Sequence, residues 1–409
     1  MKLELPDLQR LTEFYFYAVN RKFQLEGDLS LEFLLVSDIL ISLFFKEYNA
    51  ARSKLAVSVI GSYVGNVLAE NLKGSWDTTN LIVKNLGPLR VFASPFSIAY
   101  ERLSRGLSRA LKRAADEAFT KSGSEPPELN HNKVREMLSK LEDGGWFNEA
   151  LKLMTDENQS SKLRRDFAEI VGIFMSYLDS LVLKNLELVE RLLSSPATAP
   201  LSLAVLKRVN LEELLPKVTK YLNSNYPPSL KMEAISTIGS YNCRAANELL
   251  WEAFLKETEP MLKIYIAQFL KDDKGELAEE LIKLWRETAD PLTKLAMINA
   301  MQSLRDDRFK SILLEELRHG DDFLREEIIK TFQYIPLSED EVRELLPFLS
   351  SPNSTLKLVT AYAIAYSKHP KREELLASAL TDSNETVKEH IRKLIELVKV
   401  RGEPTFFVG

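Results

Sequence analysis

The chain has 409 residues, 45% apolar and 28% charged, which is the balance of a globular protein too long for one compact core. Its net charge of −5 supplies no bulk field for nucleic acid, and its one cysteine, Cys243, excludes an intramolecular disulfide and fits a reducing compartment. With only 15 Gly, long helices joined by short turns are expected.

The opening MKLELPDLQR has no basic segment leading into an apolar one, so no signal peptide is read there and a cytoplasmic location is expected. Helical patterns run over 7–24, 30–46 and 52–72. The most apolar stretch, LEFLLVSDILISLFF at 31–45, is interrupted by Asp38 and falls short of the roughly 20 residues a membrane span needs, so it reads as a buried helix. Next, LIVKNL and LRVFAS flank Gly87-Pro88 and predict a β-hairpin, and a helix is expected from Phe96 to about Phe119.

Residues 1–125 therefore predict a small α+β domain, slightly basic, with 16 Lys and Arg against 14 Asp and Glu. Gly61, Tyr63, Gly65, Gly74, Trp76, Pro95 and Phe96 give it a resemblance to small bacterial domains, one that implies no chemistry. Gly61 and Gly65, four apart on one helix face, predict a close approach by another element, with Trp76 plugging the junction of hairpin and helix. Within YERLSRGLSRALKRAAD, Arg102, Arg105, Arg109 and Lys112 fall at helical steps and form a candidate anion-binding stripe. The competing reading is a solvated face neutralised by Glu101, Asp116 and Glu117.

Residues 126–184 read as a linker followed by a helical cap, broken at Gly144-Gly145. From about 185 to 400 the sequence repeats itself. Lys231, Lys263, Lys294, Arg325, Lys357 and Lys388 recur at intervals of 31 or 32 residues. The residue before each is Leu, Thr or Val, and apolar residues return three and seven positions later, as in Met297 and Met301 after Lys294. Paired apolar residues such as Leu281-Ile282 and Leu375-Leu376 mark a second helix in each unit, and a weaker unit precedes them at 188–209. The pattern resembles HEAT repeats, particularly the short bacterial type. The resemblance implies a mainly α, armadillo-like α-α superhelix of about seven helix pairs.

That geometry would place Tyr265, Gln268, Asn299, Lys330, Tyr362 and Arg392, and one turn on Tyr334 and Tyr366, on the concave surface. Tyrosine and arginine suit a protein or peptide partner. The basic column itself is expected to be a structural ladder, pairing with loop carboxylates such as Asp290, Asp321 or Asp382. Its four histidines are scattered, and no phosphate loop, dinucleotide fingerprint or nucleophile elbow is present. No cofactor or metal is expected, and a protein-binding scaffold is expected rather than an enzyme. The alternative is a nucleic-acid-binding or repair protein of HEAT-like fold, against which the acidic C-terminal part counts, with 38 Lys and Arg against 45 Asp and Glu beyond residue 125.

Overall fold

The computed structural model describes residues 4–45, 53–88, 90–223, 225–241, 243–271, 276–319, 322–381 and 385–401. The protein is mainly helical with one small antiparallel sheet. Among the described residues no helix is long and apolar enough to cross a membrane. The chain divides into two compact units, the first ending at Tyr221 and the second beginning at Leu222.

The first unit opens with α1 (Leu5–Phe23), α2 (Leu31–Phe44) and α3 (Lys54–Asn71). Ser30 and Ser53 start α2 and α3 as N-caps, accepting hydrogen bonds from the amides of Phe33 and Ala56 at 3.2 Å each. Helix α2 is buried along nearly its whole length and mostly apolar, with Asp38 and Ser42 among its buried polar residues. Tyr15 of α1 stacks on Tyr63 of α3 at 4.8 Å, and Phe33 of α2 meets the Tyr63 ring edge-on.

After α3 come β1 (Ser75–Asp77), β2 (Ile82–Leu86) and β3 (Val91–Ala93), paired antiparallel in that order. The expected hairpin is β2–β3. The additional strand β1 is only three residues long, too short to display alternation, and Asp77 folds the turn after it by accepting from the amides of Thr79 and Asn80. The two glycines of α3 do what their spacing predicts. A Cβ on Gly65 would lie 2.0 Å from the Trp76 ring, and one on Gly61 would lie 2.6 Å from the Phe96 ring. The Trp76 indole donates to Asn66 Oδ1 at 2.8 Å.

The helix expected over 96–119 is two helices. α4 (Pro95–Arg105) ends at Gly106, whose φ of +71° and ψ of −153° lie in a region open essentially to glycine alone. A short 3-10 segment and then α5 (Leu111–Lys121) follow. The remaining helices of this unit are α6 (His131–Asp143), α7 (Trp146–Thr155), α8 (Ser161–Tyr177), α9 (Asp179–Ser194), α10 (Ala199–Val209) and α11 (Leu215–Thr219). The start of α6 is tied down: the Asn130 amide donates to Glu32 at 2.7 Å, and Lys133 in the first turn donates to Asp28 at 2.5 Å. α6 packs on α2, and α8 packs between α7 and α10. Buried Tyr221 closes the unit, its hydroxyl donating to the Leu193 carbonyl.

The second unit holds α12 (Pro228–Ser240), α13 (Arg244–Lys256), α14 (Pro260–Ala267), α15 (Glu276–Glu287), α16 (Pro291–Leu304), α17 (Phe309–His319), α18 (Asp322–Thr331), α19 (Glu339–Val342), α20 (Leu346–Leu349), α21 (Ser354–Tyr366), α22 (Arg372–Ser378) and α23 (Glu385–Arg401). Proline in the first turn and a side-chain N-cap start α14 and α16, where Glu259 and Asp290 accept from Leu262 and Thr293 amides. α12, α14, α16, α18, α21 and α23 each pack on the next of that set. α13, α15, α17, α20 and α22 each pack on the helix that follows. The residue before each column cation is buried every time: Leu230, Leu262, Thr293, Leu324, Leu356 and Val387.

Candidate functional site

The basic column is buried at Lys231 and half-buried at its other five positions. Lys231 is buried and pairs with Glu257 at 3.6 Å. Lys263 lies over the Phe254 ring, its ammonium 4.8 Å from the centroid. Lys294 bonds Glu316 at 2.6 Å and lies 5.1 Å from the Trp285 centroid. Arg325 donates to the Leu317 carbonyl at 3.1 Å, and Lys388 bonds Glu385 at 2.6 Å. None of the six cations is exposed. Lys231, Lys294 and Lys388 pair with carboxylates, as a ladder would, but Asp290 is not the partner of Lys294. Asp290 spends its carboxylate on capping α16, accepting from the Thr293 amide at 2.8 Å and its hydroxyl at 2.5 Å, so Lys294 reaches across to α17 instead. Asp321 and Asp382 lie outside the described residues.

The eight nominated groove residues fall on helices of one contiguous row, on α14, α16, α18, α21 and α23 or directly after them. Asn299, Tyr334 and Arg392 are exposed, whereas Tyr265, Gln268, Lys330, Tyr362 and Tyr366 are half-buried. Tyr265 meets Phe269 edge-on at 5.3 Å. Burial pushes the Tyr362 phenol above its ordinary range. Burial also opposes the charged form of Lys330, but the hydrogen bonds it donates to Glu326 and Glu327, at 2.8 and 2.7 Å, more than offset it and hold the ammonium above the usual lysine range. Lys330 is therefore an occupied cation, not an open one. Sequence reasoning passed over Arg305, whose guanidinium stands 5.7 Å from the Tyr334 centroid. It caps α16 in the left-handed region with φ +54°, and no periodic signal marks such a position.

The arginine stripe does not survive folding. Arg102 is buried: its Nε donates to Asp38 Oδ1 at 2.8 Å, and its Nη2 donates to the Asp38 carbonyl and to Ser42 Oγ, each at 2.6 Å. Asp38 also accepts from the amides of Leu111 and Lys112 at 2.9 and 3.1 Å, so one carboxylate closes α2, α4 and the start of α5 together. The break at Gly106 puts Arg109 and Lys112 off the helix that carries Arg102 and Arg105. Arg109 then pairs with Glu101 at 3.4 Å and Lys112 with Asp116 at 2.5 Å. Arg105 is exposed.

Among the described residues no cluster of His, Cys, Asp and Glu is placed to hold a metal ion. Cys243 is a free thiol at the start of α13, and the His131 ring lies tilted against Tyr177, centroids 5.6 Å apart. No protein-family model matches the chain, and no curated protein sequence matches it.

Proposed function

We propose that the second unit is a HEAT-like solenoid whose row of helices from α14 to α23 binds a protein or peptide, with the first unit as an accessory domain. One observation carries the reading. The cations at 31- and 32-residue intervals are buried or half-buried, while Tyr334, Asn299 and Arg392 stay exposed on or beside helices of one row. An exposed tyrosine beside an arginine offers large contact area with a polar handle, the combination that dominates protein interfaces. Phosphate clamping has less support, because Lys330 already holds two glutamates and the column cations are buried or half-buried.

The test is cross-linking of a photoreactive residue placed at Asn299 in cells, followed by affinity measurement on the purified partner. Tyr334→Ala should weaken that partner by about tenfold or more, and Arg105→Glu, in the other unit, should leave it unchanged. A partner whose affinity ignores Tyr334→Ala and Arg392→Ala removes the row as the binding surface.

A further inference from the structure

A cavity of about 520 Å³ opens in the first unit where the end of α3, the β2–β3 turn and the segment after α5 meet. Leu72 and Phe119, both buried, form its apolar floor. Its polar lining includes Asn71, Lys73, Asn85 and Glu125. Two of these are held in an unusual way. Lys73 has φ +55° and Asn85 has φ +59°, the left-handed region that glycine occupies without strain and lysine does not. Lys73 sits where a helix C-terminus ordinarily has glycine: the Gly74 amide closes back on the Ala69 carbonyl at 3.0 Å. Asn85 sits in the irregularity where β2 runs one residue longer than β3 between Val83 and Leu86. Asparagine tolerates this region, but lysine does so only at a cost, so a lysine kept there on the wall of a cavity points to a use for its side chain.

Their chemistry says what would fit. Lys73 offers a cation to a carboxylate. Glu125 offers an anion to an ammonium, and Asn71, whose Nδ2 already donates to the carbonyls of Leu29 and Val67, has its Oδ1 left as an acceptor. The floor accepts an apolar side chain, and the volume lies within the range of small-molecule sites. We infer that this cavity binds a small zwitterion with an apolar side chain, such as a free amino acid or dipeptide. Carboxylate would sit toward Lys73 and Asn85, ammonium toward Glu125, and side chain on Leu72 and Phe119.

The experiment is calorimetric titration of the full chain with L-leucine, L-phenylalanine and Leu-Leu, beside leucinol and 4-methylvalerate, which each lack one charge. The zwitterions should bind saturably and each single-charge analogue about tenfold more weakly. Lys73→Gly should weaken the zwitterions about tenfold while raising the melting temperature of the unliganded protein, separating lost binding from lost fold. Glu125→Gln, at an exposed position, should erase the preference for leucine over 4-methylvalerate. The inference is overturned if no zwitterion binds at millimolar concentration, or if both variants keep wild-type affinity and preference.

Discussion

Arg102 shows how much a single residue can mislead when read by spacing alone. Its steps to Arg105 and Arg109 suit a solvent-facing stripe, yet it is buried and bonded to Asp38, 64 residues earlier. Asp38 is visible in the sequence as an interruption of an apolar run, but its partner is not, because a tertiary ion pair leaves no periodic trace. Arg102→Met would strand a buried carboxylate and should lower unfolding stability by about 3–5 kcal/mol in a urea titration. Arg109→Ala, at a half-exposed pair, should change it by less than about 1 kcal/mol. Asp28 supplies a pH test. Burial pushes its carboxyl up, but hydrogen bonds from Lys133 and Ser30 prevail and hold it below the ordinary aspartate value of 3.8. A folded-state value below the unfolded one gives stability that is present above about pH 4 and lost as pH falls through the folded-state value. The stability gap between wild type and Asp28→Asn should therefore be open at pH 6 and shrink toward pH 3, read from urea midpoints.

Helices were legible as elements because their evidence is repetitive. The apolar period of α1, the long apolar run of α2 and the column of six cations are each stated many times over. The three-residue β1 and the break at Gly106 are stated once each, and single statements are easily overridden by neighbours. The glycine pair of α3 lies between these cases. Its four-residue spacing gave the face, and the structure supplied the occupants, Phe96 and Trp76. Gly65→Ala would drive a Cβ into the Trp76 ring, whose indole is held by Asn66. It should cost about 1–3 kcal/mol, and Trp76 fluorescence should shift with it. Unchanged stability and an unmoved emission maximum would show that the indole yields freely.

At the scale of the molecule, the two units are built from contacts of different reach. In the second, a helix meets the next of its row about 31 residues on, a distance the sequence announces through its own repetition. In the first, Asp38 closes on Arg102 across 64 positions and Lys133 on Asp28 across 105. This difference decides which half was readable. Near-neighbour contacts echo in a single sequence, whereas distant ones, including the cavity beside Lys73 and Asn85, exist only after the chain has folded. It also has a consequence in time. Closing a long loop costs more entropy before any contact rewards it, and chains dominated by local contacts fold faster. During refolding of the whole chain, pulsed hydrogen exchange should find the amides of α14, α16 and α18 protected before those of α2 and α5. A ribosome releasing this protein would then hold the slower half first, its ion pair closing only once Arg102 has emerged and its Asp28 clasp later still.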